Sequence, residues 1–441
     1  MKFVIIGAGP AGLFAALYLS EKGAQVTILD KGKRVEERKG EKGPDLLHGV
    51  GGAGLFSDGK LNYSPDIGTN LPALIGREKT FELMKRVEER FEALGVRARD
   101  PREAEVENWI IRAAKEGIRY IPARQAHIGS DKLPEVIGRV EKILEESGVE
   151  IRTNEEALEI DPKKHMVKTT RGELHYDALL IAPGRSGAKW LESMVHMLGM
   201  DFIYNPVDIG VRVEVPAMVM EEITKVTWDP KVYINTPTYD DIVRTFCVSP
   251  YGYVVREKYK NFVLVNGHSR GDRRSENTNF AFLVKVSLTE PLENTNLYGE
   301  AIAFEATTIG GGNPIIQRLE DLLMGRRSTG ERIGKSFVNP TLKDATPGDI
   351  AMALPYRFVK DITEGLEKLN HLIKGVYSAQ TLIYAPEIKF HGLRILTNEY
   401  LKTNLEDIFV AGDGAGLSRG IVGAAASGIL AAMGMAGEKW E

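Results

Sequence analysis

Residues 1–30, MKFVIIGAGPAGLFAALYLSEKGAQVTILD, read as one strand–helix–strand unit, and that unit decides the fold. Phe3 to Ile6 form a short apolar strand that stops at Gly7. Residues 11–22 carry a helical pattern in which Leu13, Leu17 and Tyr18 share a face, and Gly23 ends it. Residues 25–29 are a second strand, closed by Asp30. Between strand and helix stands Gly7-x-Gly9-x-x-Gly12. Gly7 permits a tight turn, and Gly9 lets the backbone approach a pyrophosphate. Gly12 lets the helix pack closely on the strand; Pro10 and Ala11 open that helix, whose N-terminus favours phosphate charge. Asp30, 18 residues past Gly12, stands where an acid accepts hydrogen bonds from ribose hydroxyls, with Lys31 beside it. A glycine turn alone is a weak signal. Strand, helix, Ala16 and terminal acid in one frame make an incidental turn a poor account.

The bulk composition bounds the rest. A chain of 441 residues, 43% hydrophobic and 27% charged, is too long for one ordinary core and points to two domains. Its 57 basic and 61 acidic residues give a formal net charge of −4, which argues against nucleic acid or an anionic membrane as partner. Cys247 is the only cysteine, so an intrachain disulfide, a cysteine redox pair and a cysteine-rich metal site are excluded, and no metal is expected. The first apolar run breaks at Gly7, unlike a cleavable signal. The longest apolar stretch, 421–436, is shorter than a bilayer span of about 20 residues. The expectation is a soluble cytoplasmic protein, and abundant Glu, Lys and Arg with one Cys fits a thermophile.

Further along, 31–62 is glycine-rich loop, 79–95 an exposed amphipathic helix, and 132–146 another helix. Strands follow near 149–160 and 165–180, the last of them running to Ala182 before Pro183-Gly184. Residues 190–380 mix strands, turns and helices with no second phosphate-binding fingerprint. Residues 405–436 return to strand, glycine turn and helix.

Three later segments narrow the cofactor. YDALLIAPG (176–184) and LEDIFVAGDG (405–414) resemble two signatures of the glutathione-reductase-like flavoprotein superfamily. HGVGGAGLFSDGKLN (48–62) resembles the G-G-A-G-x-F-S-D-G-K-L box of a family of FAD-dependent dehydrogenases within it. FCVSPYGYVV (246–255), VNGHSRGDRRSENTN (265–279), PIIQRLEDLLMGRRS (314–328) and LPYRFVKDITEGL (354–366) extend that resemblance almost end to end. Two segments depart from it. The bacterial F-C-x-C-P-G-G is F-C-V-S-P-Y-G here, and a T-R-T-S-x-P run is replaced by APEIKFHG, 385–392.

The resemblance implies FAD as cofactor. Asp413 would accept hydrogen bonds from the ribityl chain, while Gly412 turns the backbone and the helix opening at Gly420, Ile421 and Val422 points its dipole at the flavin. In the box, Gly51, Gly52, Ala53, Gly54 and Gly59 would line the cofactor with backbone amides, and Ser57 and Asp58 would bond its polar atoms. The adenine contact would fall near Ala157, after the run Gly148 to Asn154; Ala182 and Gly184 belong to the middle signature. Arg185 would either reach the cofactor or form an interdomain salt bridge.

Catalytic candidates are three. Lys60 would stabilise reduced-flavin anion near N1, or else serve phosphate or structure. His268 has a pKa range suited to proton transfer, against a plain turn histidine. Cys247 would approach the isoalloxazine, against the reading favoured here, a small residue in a strand buried on both faces. Arg270, Arg273 and Arg274 form one basic cluster and Arg326 with Arg327 another; guanidinium forks suit an anionic substrate, and solvated charge is the alternative. The glycines 310–312 read as loop.

The expected fold is α/β: a Rossmann-type, glutathione-reductase-like FAD domain from 1–75, 125–190 and 380–441, with a helical insertion at 76–124 and a mixed α/β substrate domain at 191–379. The expected function is a FAD-dependent oxidoreductase passing hydride or electron pairs through flavin N5 to or from a small substrate, with NAD(P)H at most a transient partner and the oligomeric state open. Rivals are a tRNA-modifying flavoprotein, a non-enzymatic flavin sensor and a lipid or isoprenoid reductase.

Overall fold

The computed structural model describes residues 1–39, 47–57, 59–100, 103–269, 273–289 and 293–440. The chain divides into two compact units, each assembled from separate stretches. Met1–Arg99, Arg124–Asn205 and His391–Glu441 make the first; Asp100–Ala123 and Pro206–Phe390 make the second.

At the centre of the first unit lies strand β1, Lys2–Ile6. On one side it pairs in parallel with β2, Gln25–Leu29, and on the other with Ala178–Ile181. Glu150–Arg152 extends the sheet beyond β2, and Ile408–Val410 extends it beyond Ala178–Ile181, again in parallel. Both faces of such a sheet are covered by crossovers, which is why its central strands are apolar runs rather than alternating ones. Phe3 to Ile6 and Ala178 to Ile181 are all buried. Helix α1, Pro10–Glu21, carries the chain from β1 to β2 and is buried along most of its length. It lies so close to the helix Ile421–Met435 that a Cβ on Gly428 would stand 2.0 Å from the Ala11 carbonyl oxygen. Strand order reverses at β1, the position where open α/β sheets bind ligands beyond the carboxyl ends of their strands.

The second unit is built on an eight-stranded sheet. Its longest ladder pairs Val207–Pro216 with Asn277–Val286, antiparallel over ten residues on each strand. Leu382–Lys389 flanks the first of these strands and Ile242–Ser249 the second. Helix Tyr356–Leu372 buries Phe358, Ile362, Leu366 and Leu369, the spacing of one helical face. Gly365 stands in that face because a Cβ there would meet the Phe282 ring at 2.9 Å.

These units redraw the expected boundaries. Segment 76–124 is not one insertion. Its helix Arg77–Ala93 buries Leu83, Met84, Val87 and Phe91 in the first unit, whereas Ile118–Ile121 is an edge strand of the second unit's sheet, paired with Lys231–Asn235. Helix Ala188–Leu198 belongs to the first unit, and the strand at 382–389 belongs to the second, held by ladders on both edges. Backbone pairing decides these memberships, and apolar patterning alone does not reveal a strand's partner. The 310–312 glycines follow the C-terminus of helix Thr295–Ile309, Gly311 and Gly312 at positive φ. Among the described residues no helix is long and apolar enough to cross a membrane.

Candidate functional site

A cleft of about 620 Å³, solvent mouth included, opens at the carboxyl ends of β1, β2 and Ala178–Ile181. Gly7 and Gly9 form part of its wall, with Asp30 and Lys31 after β2, Gly52 and Ala53 from the glycine box, and Ala157. Ala182 and Gly184 supply the far side, together with Arg185 and Trp190.

The wall is shaped by backbone held too close for side chains. A Cβ on Gly7, which has φ +106°, would lie 2.1 Å from the Ala182 carbonyl oxygen, and one on Gly12 would lie 1.9 Å from that of Gly7. The box lies directly over the first turn, a Cβ on Gly52 falling 3.1 Å from Gly9 Cα. α1 has Gly9 as its N-cap, with no side chain capping it and no acid in its first turn. The free amides and the positive end of the dipole at that terminus suit an anionic group. An extended dinucleotide fits these features: pyrophosphate against the open turn at Gly9, ribose toward Asp30.

Asp30 does more than await a ribose. Its Oδ2 accepts from the amide of Ala8 at 2.9 Å, and its Oδ1 from the amides of Gly32 at 2.8 Å and Gly49 at 2.9 Å. One carboxylate thus ties together the glycine turn, the loop after β2 and the start of the box. Two oxygens offer about four acceptor sites, so capacity for one further donor remains.

Arg38 is a structural counterpart that patterning missed. It lies in KRVEERKGEKG, a run that looks like solvated charge, yet only 6% of it is exposed. Its guanidinium donates to the carbonyls of Gly49 at 3.3 Å, Val50 at 2.6 Å and Gly52 at 2.9 Å, and sits 5.1 Å from the centre of the Phe56 ring. The glycine box is thereby wrapped around an arginine. No periodicity signals this; the signal available is an arginine a few residues ahead of a box whose carbonyls need donors. His48 also lines the cleft and was not among the expected contacts.

The other expected cofactor residues lie in the same unit. Pro10 and Ala11 open α1. Gly51 donates its amide to the Ala8 carbonyl at 2.8 Å, and Gly54 lies against Ile421, its would-be Cβ 3.4 Å from that side chain. Ser57 caps its own turn by donating to the Gly54 carbonyl, and Gly59 donates its amide back to Ser57 Oγ. Gly412 holds φ +81° and packs against Ala11. Asp413 Oδ1 accepts from Ser418 Oγ at 2.7 Å and from the Gly420 amide at 3.3 Å, at the head of the helix carrying Ile421 and Val422. Asp58, like Arg270, lies outside the described residues. Arg185 Nε stands 3.9 Å from Asp413 Oδ2, an ion pair inside the first unit rather than a bridge between domains.

None of the three catalytic candidates is among the residues of this cleft's wall. Lys60 pairs with His127 in the two-stranded ribbon of Lys60–Tyr63 and Arg124–His127, outside the cleft wall. Cys247 and His268 belong to the second unit. The expectation of a strand buried on both faces at Cys247 is corrected: Ile242–Ser249 carries a bulge between Phe246 and Ser249, and Cys247 is half-buried there at φ +45°. One extra residue in the strand takes it out of the alternation. His268, half-buried, ends Val263–His268 opposite Tyr253. Fully buried Arg212 joins these segments. It donates to the Cys247 carbonyl at 2.7 Å, Ser249 Oγ at 3.2 Å and Asn279 Oδ1 at 2.8 Å, and pairs with buried Glu387 at 3.3 Å. A Cβ on Gly267 would collide with the same guanidinium.

Of the basic clusters, Arg326 is committed to structure. It and Arg318 hold fully buried Asp321 at 2.8 and 3.1 Å. Arg274 stacks 5.3 Å from the Tyr251 ring centre. Among the described residues no group of three or more His, Cys, Asp or Glu side chains is placed to hold a metal ion.

Comparison with known proteins gives a match in each unit. Residues 2–50 match the family described as FAD dependent oxidoreductase, and residues 206–389 match the family described as FAD-dependent protein, C-terminal domain-like. A protein of Clostridium beijerinckii, described as uncharacterized, is 27% identical over 97% of this chain and 79% of its own length. An opine oxidase subunit of Rhizobium meliloti is 34% identical over 19% of this chain and 18% of its own. Glycine oxidase from Geobacillus kaustophilus superposes with a TM-score of 0.40 at 13% identity, covering 100% of this chain and 96% of that one. L-proline dehydrogenase from P. horikoshii gives 0.41 at 13% identity, covering 99% and 94%. The family matches name FAD, the cleft at the turn of β1 suits it, and the chain is a FAD-dependent oxidoreductase.

Proposed function

We propose that this chain is a dehydrogenase of the family marked by the G-G-A-G-x-F-S-D-G-K-L box, within the glutathione-reductase-like flavoproteins, and that it acts on a small anionic substrate. The observation that carries the reading is the arrangement of that box. Gly52 lies over Gly9, Arg38 draws the box carbonyls inward, and Asp30 fixes its first amide. Such a rigid backbone cradle is the preorganisation a permanently held cofactor requires. When bound, FAD supplies a two-electron acceptor at N5. The chain's own part is to hold it: α1 directs amides to the pyrophosphate, and Asp30 receives ribose. Gly412–Asp413 and the following helix steady the flavin half. Cys247 and His268, both of the second unit, are the residues we assign to the substrate. NAD(P)H would dock only transiently, for the second unit carries no G-x-G-x-x-G run of its own. A cytoplasmic setting accords with the single cysteine.

Two measurements test this. The purified chain should be yellow, with about one non-covalent FAD per chain released by heat or acid. Mixed anaerobically with a panel of amino acids, hydroxy acids, NADH and NADPH, it should bleach fastest with a carboxylate donor. Colourless protein that does not take up added FAD, or bleaching confined to uncharged donors, would overturn the corresponding part.

A further inference from the structure

One polar group on the cleft wall is left over by the contacts described so far. His48 opens the glycine box and lines the cleft beside Asp30, Lys31 and Glu156. Its Nδ1 is buried and has no hydrogen-bond partner among the described residues. A buried ring nitrogen left unpaired is costly, so a folded chain retains one mainly where something else completes it. The neighbours are already engaged. Asp30 serves three amides, Lys31 faces Glu156 at 3.8 Å, and Arg38 is bound to box carbonyls. Burial first, then the nearby Lys31 and Arg38, lowers the histidine's pKa against the opposing pull of Asp30 and Glu156. A neutral imidazole presents one donor and one acceptor, a pair that a ribose hydroxyl or an adenine edge meets and a bare phosphate does not.

We propose that His48 hydrogen-bonds the adenosine half of FAD and so selects a dinucleotide over the mononucleotide FMN. Its position supports that half rather than the flavin: it stands with Asp30, the ribose-side acid at the end of β2. The box therefore has two jobs. Its glycines accommodate the cofactor's backbone, and its first side chain reads which cofactor is there.

The inference rests on the FAD reading, and the experiment separates the two. Apoprotein from wild type, His48→Ala and His48→Asn is titrated with FAD, ADP and FMN, following heat or flavin fluorescence, with melting temperature as a control. His48→Ala should weaken FAD and ADP about tenfold, the loss of one hydrogen bond, and leave FMN unchanged. His48→Asn, whose amide places a polar atom near the Nδ1 position, should recover most of the loss. Unchanged FAD and ADP affinity in His48→Ala overturns the inference while the FAD reading stands. An equal loss for FMN also overturns it, because it marks a general disturbance of the box. Wild-type apoprotein that takes neither FAD nor ADP overturns the cofactor reading itself.

Discussion

Asp30 Oδ2 accepts the amide hydrogen of Ala8 at 2.9 Å, so the acid that ends β2 is bonded into the glycine turn that ends β1. The fingerprint and its acid are thus one hydrogen-bonded object, and the loop after β2 and the box are bonded to the same carboxylate. Replacing Asp30 with Ala leaves three amides without an acceptor, in addition to losing a ribose partner. It should lower stability and FAD retention together, by about 1–3 kcal/mol, the cost of unpaired polar groups around a lost charged acceptor. Asp30→Asn, with one oxygen acceptor instead of two, should fall between. Melting curves of apo and holo protein, with FAD titrations, check this. An Ala variant that loses FAD affinity without any loss of apo stability would show that the loop ties contribute nothing.

Asp413 makes a contrasting case, since the groups that donate hydrogen bonds to it, Ser418 and Gly420, follow closely in the chain. Its carboxylate holds Ser418, the Gly420 amide and Arg185. Asp413→Ala should weaken FAD retention by roughly 1–3 kcal/mol and leave the apo fold intact. Equal FAD affinity in variant and wild type would mean that the second signature positions its own helix and nothing more.

Two aspartates of the second unit should give stability opposite dependences on pH. Burial, then the adjacent Asp241, pushes Asp361 up to about 6, although Thr236 donates to it. Its unfolded value is near 3.9, so between those values the native state holds the proton and the unfolded chain does not. The stability Asp361 contributes is present below about pH 4 and is lost as pH rises through about 6. Asp321, bonded to Arg318, Ser328 and Arg326 despite its burial, is drawn down to about 2. Its contribution is present above about pH 4 and is lost as pH falls toward 2. Urea midpoints from about pH 3 to 7 for wild type, Asp361→Asn and Asp321→Asn read each contribution as a difference. A difference for Asp361→Asn that does not change between about pH 4 and 7 refutes the assignment.

What could be read from the chain and what could not divide along a physical line. The βαβ unit at 2–29 was legible because its elements are local: an apolar run, a helical period and a glycine turn each announce themselves within a few residues. Local pattern places the strand Leu382–Lys389 in the first unit, whereas its partners stand far earlier in the chain, as in Asp208↔Lys389 and Ile315↔Ala385. Arg38 was invisible because nothing local distinguishes an exposed arginine from one that folds under a box of carbonyls. Cys247 departs from its local pattern for a related cause. Phe246, Cys247 and Val248 look like a strand buried on both faces, and a bulge of one residue leaves no mark on hydrophobic spacing.

That bulge sharpens the case of Cys247, the chain's only thiol. Its backbone sits at φ +45°, held by the bond from Arg212 to its carbonyl, and its side chain is half-buried rather than sealed in a core. The main chain of this residue therefore has an evident task, and any amino acid could supply that carbonyl. A catalytic thiol must form thiolate readily and lie within reach of the reacting atoms. A structural one contributes packing alone, and Ser is nearly isosteric with it. Ser249 occupies the place of the second cysteine found in the bacterial pattern, so no disulfide chemistry operates within this segment. We expect Cys247→Ser to keep at least half of any measured flavin-reduction rate, a change of roughly 0.4 kcal/mol or less in the barrier. Cys247→Gly, which relieves the positive φ, should match or exceed wild type in melting temperature if packing of the thiol is slight. A hundredfold loss of reduction rate in Cys247→Ser, with FAD content and melting temperature preserved, would instead place the thiol among the reacting groups.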